Sequence, residues 1–216
     1  MQRQGTTSKR SLNPELVSYI NTVKDDFSLI PQDRKEELDK ITQYIRKQAD
    51  AGQPVQLTYI CTHNSRRSHF GQIWAAAAAA YYDVPGVKTY SGGTETSAFN
   101  ERAVAACERA GFDISKTSEG KNPVYNVSYA SDTEPLKAFS KKYDDSNNPQ
   151  SNFCAIMTCS QADKACPAVK GATARIAIPY DDPKLFDGTS QESAKYDERC
   201  KQIATETFYV FSKVKI

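Results

Sequence analysis

At 216 residues the chain suits one domain with an appendage and is long enough to bury a substantial core. A formal net charge of +2, from 28 basic and 26 acidic side chains, leaves no global field and sets aside nucleic acid and membrane surfaces as partners. No run approaches the ~18 apolar residues of a membrane span, and the polar start Met1–Arg10 lacks the apolar centre of a signal peptide, so a cytoplasmic location is expected.

Two helices are predicted first. Asn13-Pro14 is a cap followed by a first-turn proline, and apolar residues continue through Leu16, Val17 and Ile20 toward Phe27. The second helix follows Pro31, carries Leu38, Ile41 and Ile45, and stops at the turn Ala51-Gly52. Residues 1–53 therefore read as a helical extension packed on a domain spanning 54–216, with no chemistry of its own. A strand at 55–60 leads into a helix at about 67–82. The alanines Ala75–Ala80 give that helix high propensity and a slim profile that lets it lie close to a sheet. A short strand at Val87–Tyr90, the turn Ser91-Gly92-Gly93-Thr94 and a helix from about 98 to 110 follow. Residues 124–129 read as a short strand or extended segment, 135–143 as a helix, and Asp144–Gln150 as a polar surface loop. Strands at 153–158 and 174–178 and a last helix at about 190–213 complete the chain. Such alternation predicts an α/β fold of three layers, a central parallel sheet with helices on both faces and functional loops at the carboxyl ends of its strands.

The stretch Cys61-Thr62-His63-Asn64-Ser65-Arg66-Arg67-Ser68 falls at a strand-to-helix junction. A cysteine there meets the positive end of the helix and a ring of backbone N–H groups, surroundings that bind an oxyanion and stabilise a thiolate. Arg67, six residues on, can grip two anion oxygens with its planar fork. These parts suit thiolate attack on phosphate or on a phosphate mimic such as arsenate. An acid is then needed to protonate the departing oxygen. The segment Pro179-Tyr180-Asp181-Asp182-Pro183, at the exit of a late strand, supplies one, and Asp182 is the expected donor with Asp181 beside it. The bland alternative is that Asp-Asp-Pro is merely a turn.

Six cysteines in a chain of this size do not form an evident disulfide framework; in a reducing compartment they are more often catalytic or metal-binding. Cys154 reads as a core residue, and Cys107 and Cys200 fall within predicted helices without a role. A zinc site from Cys154, Cys159 and Cys166 has poor spacing and no histidine nearby to complete it, so no metal is expected.

The oxyanion loop, with Ser91-Gly92-Gly93-Thr94 and Asp182-Pro183, resembles the low-molecular-weight protein tyrosine phosphatase superfamily. The segment Ile156-Met157-Thr158-Cys159-Ser160-Gln161-Ala162-Asp163-Lys164-Ala165-Cys166-Pro167 is similar to the redox segment of its thioredoxin-coupled arsenate reductases. The resemblance covers roughly residues 54–216. It implies a flavodoxin-like, low-molecular-weight phosphatase fold with a four-stranded parallel sheet. It further implies that Cys61 attacks arsenate while Arg67 and the loop residues Thr62, His63, Asn64, Ser65 and Arg66 hold the oxygens. Ser68 would donate to the thiolate and Asp182 would protonate the leaving oxygen. Cys159 would attack Cys61 and release arsenite, and Cys166 would take over Cys159. Thioredoxin would act as external reductant, with no bound cofactor. The competing reading is a phosphatase that hydrolyses phosphomonoesters through the same Cys61, Arg67 and Asp182, with water resolving the intermediate.

This chain departs from the pattern in several places. Arsenate reductases usually have glycine at the position of His63 and cysteine at that of Arg66. A residue other than glycine at position 63 predicts local strain or an altered loop, since glycine there permits positive φ. A carboxylate found past the serine in some relatives appears here as Gln72. Phosphatases of the superfamily usually place tyrosines after the Asp-Pro, where this chain has Lys184, Leu185 and Phe186. Residues seven apart in a helix are separated by about 10.5 Å, too far for a disulfide, so 159–166 must be a loop or a helix that unwinds on oxidation.

Overall fold

A computed structural model describes residues 11–214. The elements are α1 (Pro14–Asp25), α2 (Gln32–Asp50), β1 (Val55–Cys61), α3 (Arg67–Tyr81), β2 (Val87–Gly93) and α4 (Glu101–Arg109). There follow β3 (Asp113–Lys116), β4 (Tyr125–Ser128), β5 (Leu136–Ala138), β6 (Phe153–Met157), α5 (Ser160–Ala165), β7 (Ala172–Ala177) and α6 (Glu192–Ser212). The start Met1–Arg10, which sequence reading assigned to the helical extension, lies outside the described residues.

Four parallel strands form the central sheet in the order β2-β1-β6-β7. Counted among the parallel strands alone, this is the 2-1-3-4 order of flavodoxin-like sheets, whose chain reversal leaves a crevice at the strand carboxyl ends. Alternate residues of β6 point to opposite faces, and the two faces have unequal cover. Cys154 and Ile156 join the larger cluster with Leu57, Phe70, Trp74 and Phe208. Phe153, Ala155 and Met157 join a smaller one with Cys61, Cys159, Ala162 and Val169. The thick layer holds α1–α4 and α6; the thin one rests on α5 and on loop residues such as Tyr143. Helix α3 is buried along its whole length between sheet and α6, which explains the alanine run: a larger side chain at Ala75, Ala77 or Ala78 would have no room.

Two expectations fail outside the parallel sheet. The segment expected to be a helix at 135–143 instead gives β5, which pairs antiparallel with β4 (Asn126 opposite Lys137). Its burial alternates, with Leu136 half-buried, Lys137 exposed and Ala138 buried, so the governing period is two. Strand β3 was not foreseen. It is a short, polar edge strand that exists through its ladder with β4, and it carries no hydrophobic pattern of its own. The polar loop 144–150 also hides one inward residue. Asn148 is buried and donates to the carbonyls of Ser91, Lys142 and Tyr143.

Helix α2 reaches the Pro179–Asp182 segment. Arg34 of α2 bonds Glu206 at 2.9–3.0 Å and donates to the Pro179 carbonyl at 3.1 Å, while the Tyr180 hydroxyl donates to the same Glu206 at 2.8 Å. A buried carboxylate so paired ties α2, α6 and the Pro179–Asp182 segment together.

Lys141 is the one lysine buried within the described core, its ammonium 4.6 Å from the centre of the Phe139 ring. Burial pushes it down to about 8 from an ordinary 10.5. Below pH 8 it is charged in both states, and the folded protein carries the full desolvation cost. Between pH 8 and 10.5 the unfolded chain holds more protons, so stability rises with pH through that window. Lys141→Met should therefore stabilise the fold at pH 7 by up to about 3 kcal/mol and flatten the rise above pH 8. Urea denaturation of both proteins at pH 7 and pH 10 measures this; an unchanged difference between the two pH values would contradict it.

Candidate active site

Strand β1 ends at Cys61, and α3 begins at Arg67, so residues 62–66 must reverse direction within five residues. Neighbouring elements hold the carbonyls of that turn outward. Thr94 and Glu95 N–H groups donate to the Cys61 and Thr62 carbonyls, Ser97 and Ser140 hydroxyls to that of His63, and Asn100 N–H to that of Ser65. Among the described residues, the N–H groups of residues 62–66 take no acceptor. A ring of free amides with its carbonyls anchored behind it is an anion-binding nest. Gly93 permits the close approach: a Cβ there would lie 2.2 Å from the Glu95 carbonyl oxygen and 2.7 Å from that of Thr62.

Of the strain or altered loop expected from His63, it is the loop that is altered: His63 has no positive φ. The left-handed residue of the turn is Asn64, with φ of 45°, a residue type that tolerates this region. Asn64 is fully buried; its side-chain oxygen accepts from Lys141 N–H at 2.9 Å and its amide donates to Ser68 Oγ at 2.9 Å. Ser68 Oγ lies 3.0 Å from Cys61 Sγ. Because the Asn64 amide already fills an acceptor position of that hydroxyl, its hydrogen is free to point at the sulfur. His63 sits at the mouth, half-exposed, 3.4 Å from Glu95.

Arg67 turns back over the loop. Its Nη1 donates to the Tyr180 carbonyl at 2.8 Å and its Nη2 to Asp182 Oδ2 at 2.7 Å. Its Nε is buried and, among the described residues, has no acceptor. Asp182 caps the 3-10 turn Pro183–Phe186 by accepting from Lys184 N–H. The choice between the paired aspartates is also plain: the Asp181 side chain is 91% exposed and that of Asp182 27%.

Cys159 closes the other side. It is buried, its sulfur lies 3.4 Å from Thr62 Oγ1, and Ala162 N–H donates to that sulfur at 3.3 Å as the cap of α5. His63, Arg67, Cys159, Tyr180, Asp182 and Leu185 all line one cleft of about 470 Å³. Cys166 is half-buried at the far end of α5. Cys154 lies in the core, where burial pushes its thiol up to about 12, while Cys107 and Cys200 are buried in α4 and α6. Among the described residues no group of three or more His, Cys, Asp or Glu side chains is placed to hold a metal ion, and no helix is long and apolar enough to cross a membrane.

The structure thus joins Cys61 and Asn64 to Ser68, Arg67 to Asp182 and Thr62 to Cys159, with His63 at the mouth of the same cleft; Ser65 and Arg66 line a neighbouring cleft, and Cys166 lies one short helix away. Sequence reading missed Tyr180, whose carbonyl seats the arginine. It also missed Tyr196 and Asp187, which hold Arg66 through contacts at 2.7 Å and 3.6 Å. Tyr180 lay inside the quoted acidic segment; Tyr196, on a helix 130 residues from Arg66, carried no signal.

No family model matches the chain. It is 28% identical over 135 residues to an arsenate reductase of Halalkalibacterium halodurans, covering 62% of this chain and 78% of that one. To an arsenate reductase of Bacillus subtilis it is 27% identical over 143 residues, covering 66% and 84%. Among solved structures, a low-molecular-weight phosphotyrosine phosphatase from Vibrio cholerae aligns with a TM-score of 0.49 at 11% identity, covering 73% of this chain and 95% of the other. A thioredoxin-dependent arsenate reductase of Corynebacterium glutamicum aligns with a TM-score of 0.36 at 18% identity, covering 86% and 80%.

Proposed function

We propose that this chain, a relative of the arsenate reductases within the low-molecular-weight protein tyrosine phosphatase superfamily, reduces arsenate to arsenite by a cysteine relay. The observation that carries the reading is a second buried thiol, Cys159, set beside the oxyanion loop in the cleft that Arg67 and Asp182 line. A phosphatase has no use for it.

The steps balance in atoms and electrons. The Cys61 thiolate bonds to arsenic while an arsenic–oxygen bond breaks, its electron pair leaving with the oxygen, which takes a proton from Asp182. The free loop amides and the open Arg67 Nε hold the remaining oxygens. The Cys159 thiolate then attacks Cys61 sulfur. A sulfur–sulfur bond forms, the sulfur–arsenic bond breaks, and its electron pair stays on arsenic, which departs as arsenite. Cys166 displaces Cys61 from Cys159, and an external dithiol of the thioredoxin type reduces the resulting Cys159–Cys166 pair. The chain's own sulfurs carry the electrons, so no resident cofactor enters, and the relay belongs in a reducing compartment such as the cytoplasm.

Arsenate-dependent NADPH oxidation in the presence of thioredoxin and its reductase tests the reading. Wild type should turn over, Cys61→Ser should be inert, and slower hydrolysis of aryl phosphates should accompany the main activity because the two oxyanions are near-isosteres. Hydrolysis of phosphate esters with no arsenate turnover would leave the phosphatase reading in its place.

The relay also demands a conformational change. Cys159 caps the start of α5 and Cys166 its end, seven residues or about 10.5 Å of helical rise apart, whereas a disulfide needs Cα atoms within about 7 Å. Amide protection over Ser160–Ala165 should be lost in the oxidised protein. Equal hydrogen exchange in the two redox forms would count against transfer to Cys166.

A further inference from the structure

Arg66 stands in the oxyanion loop, yet its side chain is committed elsewhere. The guanidinium is buried, and its Nε donates to the Tyr196 hydroxyl on α6 at 2.7 Å. It also faces both ends of the acid-bearing turn, with Nη2 3.6 Å from Asp187 Oδ2 and Nε 3.9 Å from Asp182 Oδ1. The Tyr196 hydroxyl in turn donates to Asp187 Oδ1 at 2.7 Å. A buried guanidinium is retained only where it is paired, and here all three partners hold one segment.

That segment needs holding. The turn Pro183–Phe186 is a single 3-10 turn with only Pro183 buried, and Leu185 is 80% exposed. An isolated 3-10 turn is too weak to fix a carboxyl group to the fraction of an ångström that proton transfer requires. Its cap residues are Asp182 and Asp187, the two carboxylates that Arg66 faces.

We propose that Arg66 and Tyr196 form a latch that positions Asp182 as proton donor, making Arg66 a positioning residue. The proposal rests on the reading of Asp182 as general acid. Loss of the latch should act through Asp182 alone, so its effect should depend on how badly the leaving oxygen needs a proton. An acidic phenol departs unaided; a weakly acidic one does not.

The test is a double-mutant cycle with Arg66→Gln and Asp182→Asn, read on arsenate turnover and on two esters, p-nitrophenyl phosphate and phenyl phosphate. Tyr196→Phe removes only a hydroxyl and serves should Arg66→Gln fold poorly. Arg66→Gln and Tyr196→Phe should lower kcat for phenyl phosphate by about tenfold or more and leave p-nitrophenyl phosphate within about threefold, with KM little changed. In the Asp182→Asn background, Arg66→Gln should cost no more than about twofold further on any substrate. Equal losses on both esters, or full additivity with Asp182→Asn, overturn the latch while leaving the general acid in place. If Asp182→Asn alone changes neither arsenate turnover nor phenyl phosphate hydrolysis, the assignment of the acid falls and the latch falls with it.

Discussion

Cys159→Ser is expected to reduce thioredoxin-coupled arsenate turnover by about 10³-fold or more while leaving aryl phosphate hydrolysis within about twofold of wild type. The asymmetry follows from where the sulfur sits. It touches the oxyanion loop at Thr62 and no part of Arg67 or Asp182 is bonded to it, so the first displacement at Cys61 does not require it. The second displacement does, because only a thiolate can take sulfur from arsenic and leave the electron pair behind. Serine keeps the structural part of the role: a hydroxyl accepts from Ala162 N–H as an N-cap at least as well as a thiol, so α5 should persist. Parallel assays of NADPH oxidation and ester hydrolysis on one preparation check both halves. Intact arsenate turnover in the variant would end the relay mechanism; loss of both activities would point to a misfolded loop.

What could be read in the chain before its structure was known followed the strength of local constraint. Phe153–Met157 is an apolar run buried at every position and Val55–Cys61 is buried at all but Gln56, the look of parallel strands covered on both faces, whereas Ala172–Ala177, at the sheet edge, buries only Ile176. Cys61, Arg67 and Asp182 were legible because their chemistry restricts residue type and spacing at once. In the 113–138 region only β4 was, since β3 and β5 are held by pairing to it, and a three-residue strand leaves no period to detect. The loop was legible in its parts, but not in where its left-handed residue falls. Position 63 drew attention because a histidine replaced a glycine, yet the left-handed turn is taken one residue later by Asn64, whose side chain is needed between Ser68 and Lys141. Arg66 shows the other limit: its partners Tyr196 and Asp187 are brought by α6 and the turn before it, a tertiary fact that no spacing in the loop announces.

Arg67→Lys is expected to lower kcat/KM for arsenate and for aryl phosphates alike by about 10²–10³-fold. Arg67 already spends one terminal nitrogen on the Tyr180 carbonyl and the other on Asp182, and its buried Nε keeps a donor in reserve. A buried N–H left unpaired costs about 1–3 kcal/mol, which an oxyanion seated among the free loop amides would recover. One ammonium cannot serve a carbonyl, a carboxylate and an anion together, so lysine must give up at least one of them. If it abandons the anion, transition-state stabilisation is lost and kcat falls; if it abandons Tyr180 and Asp182, the acid segment loosens and kcat falls by another route. A change confined to KM would instead mean that the arginine binds ground state and transition state equally. The same donor predicts a linkage that needs no turnover. Inorganic phosphate at about 100 times its Kd should stabilise wild type by about 2.7 kcal/mol, and the gain should largely disappear in Arg67→Lys. A lysine variant with activity within about fivefold of wild type and an undiminished phosphate effect on unfolding would show that the loop amides alone hold the anion.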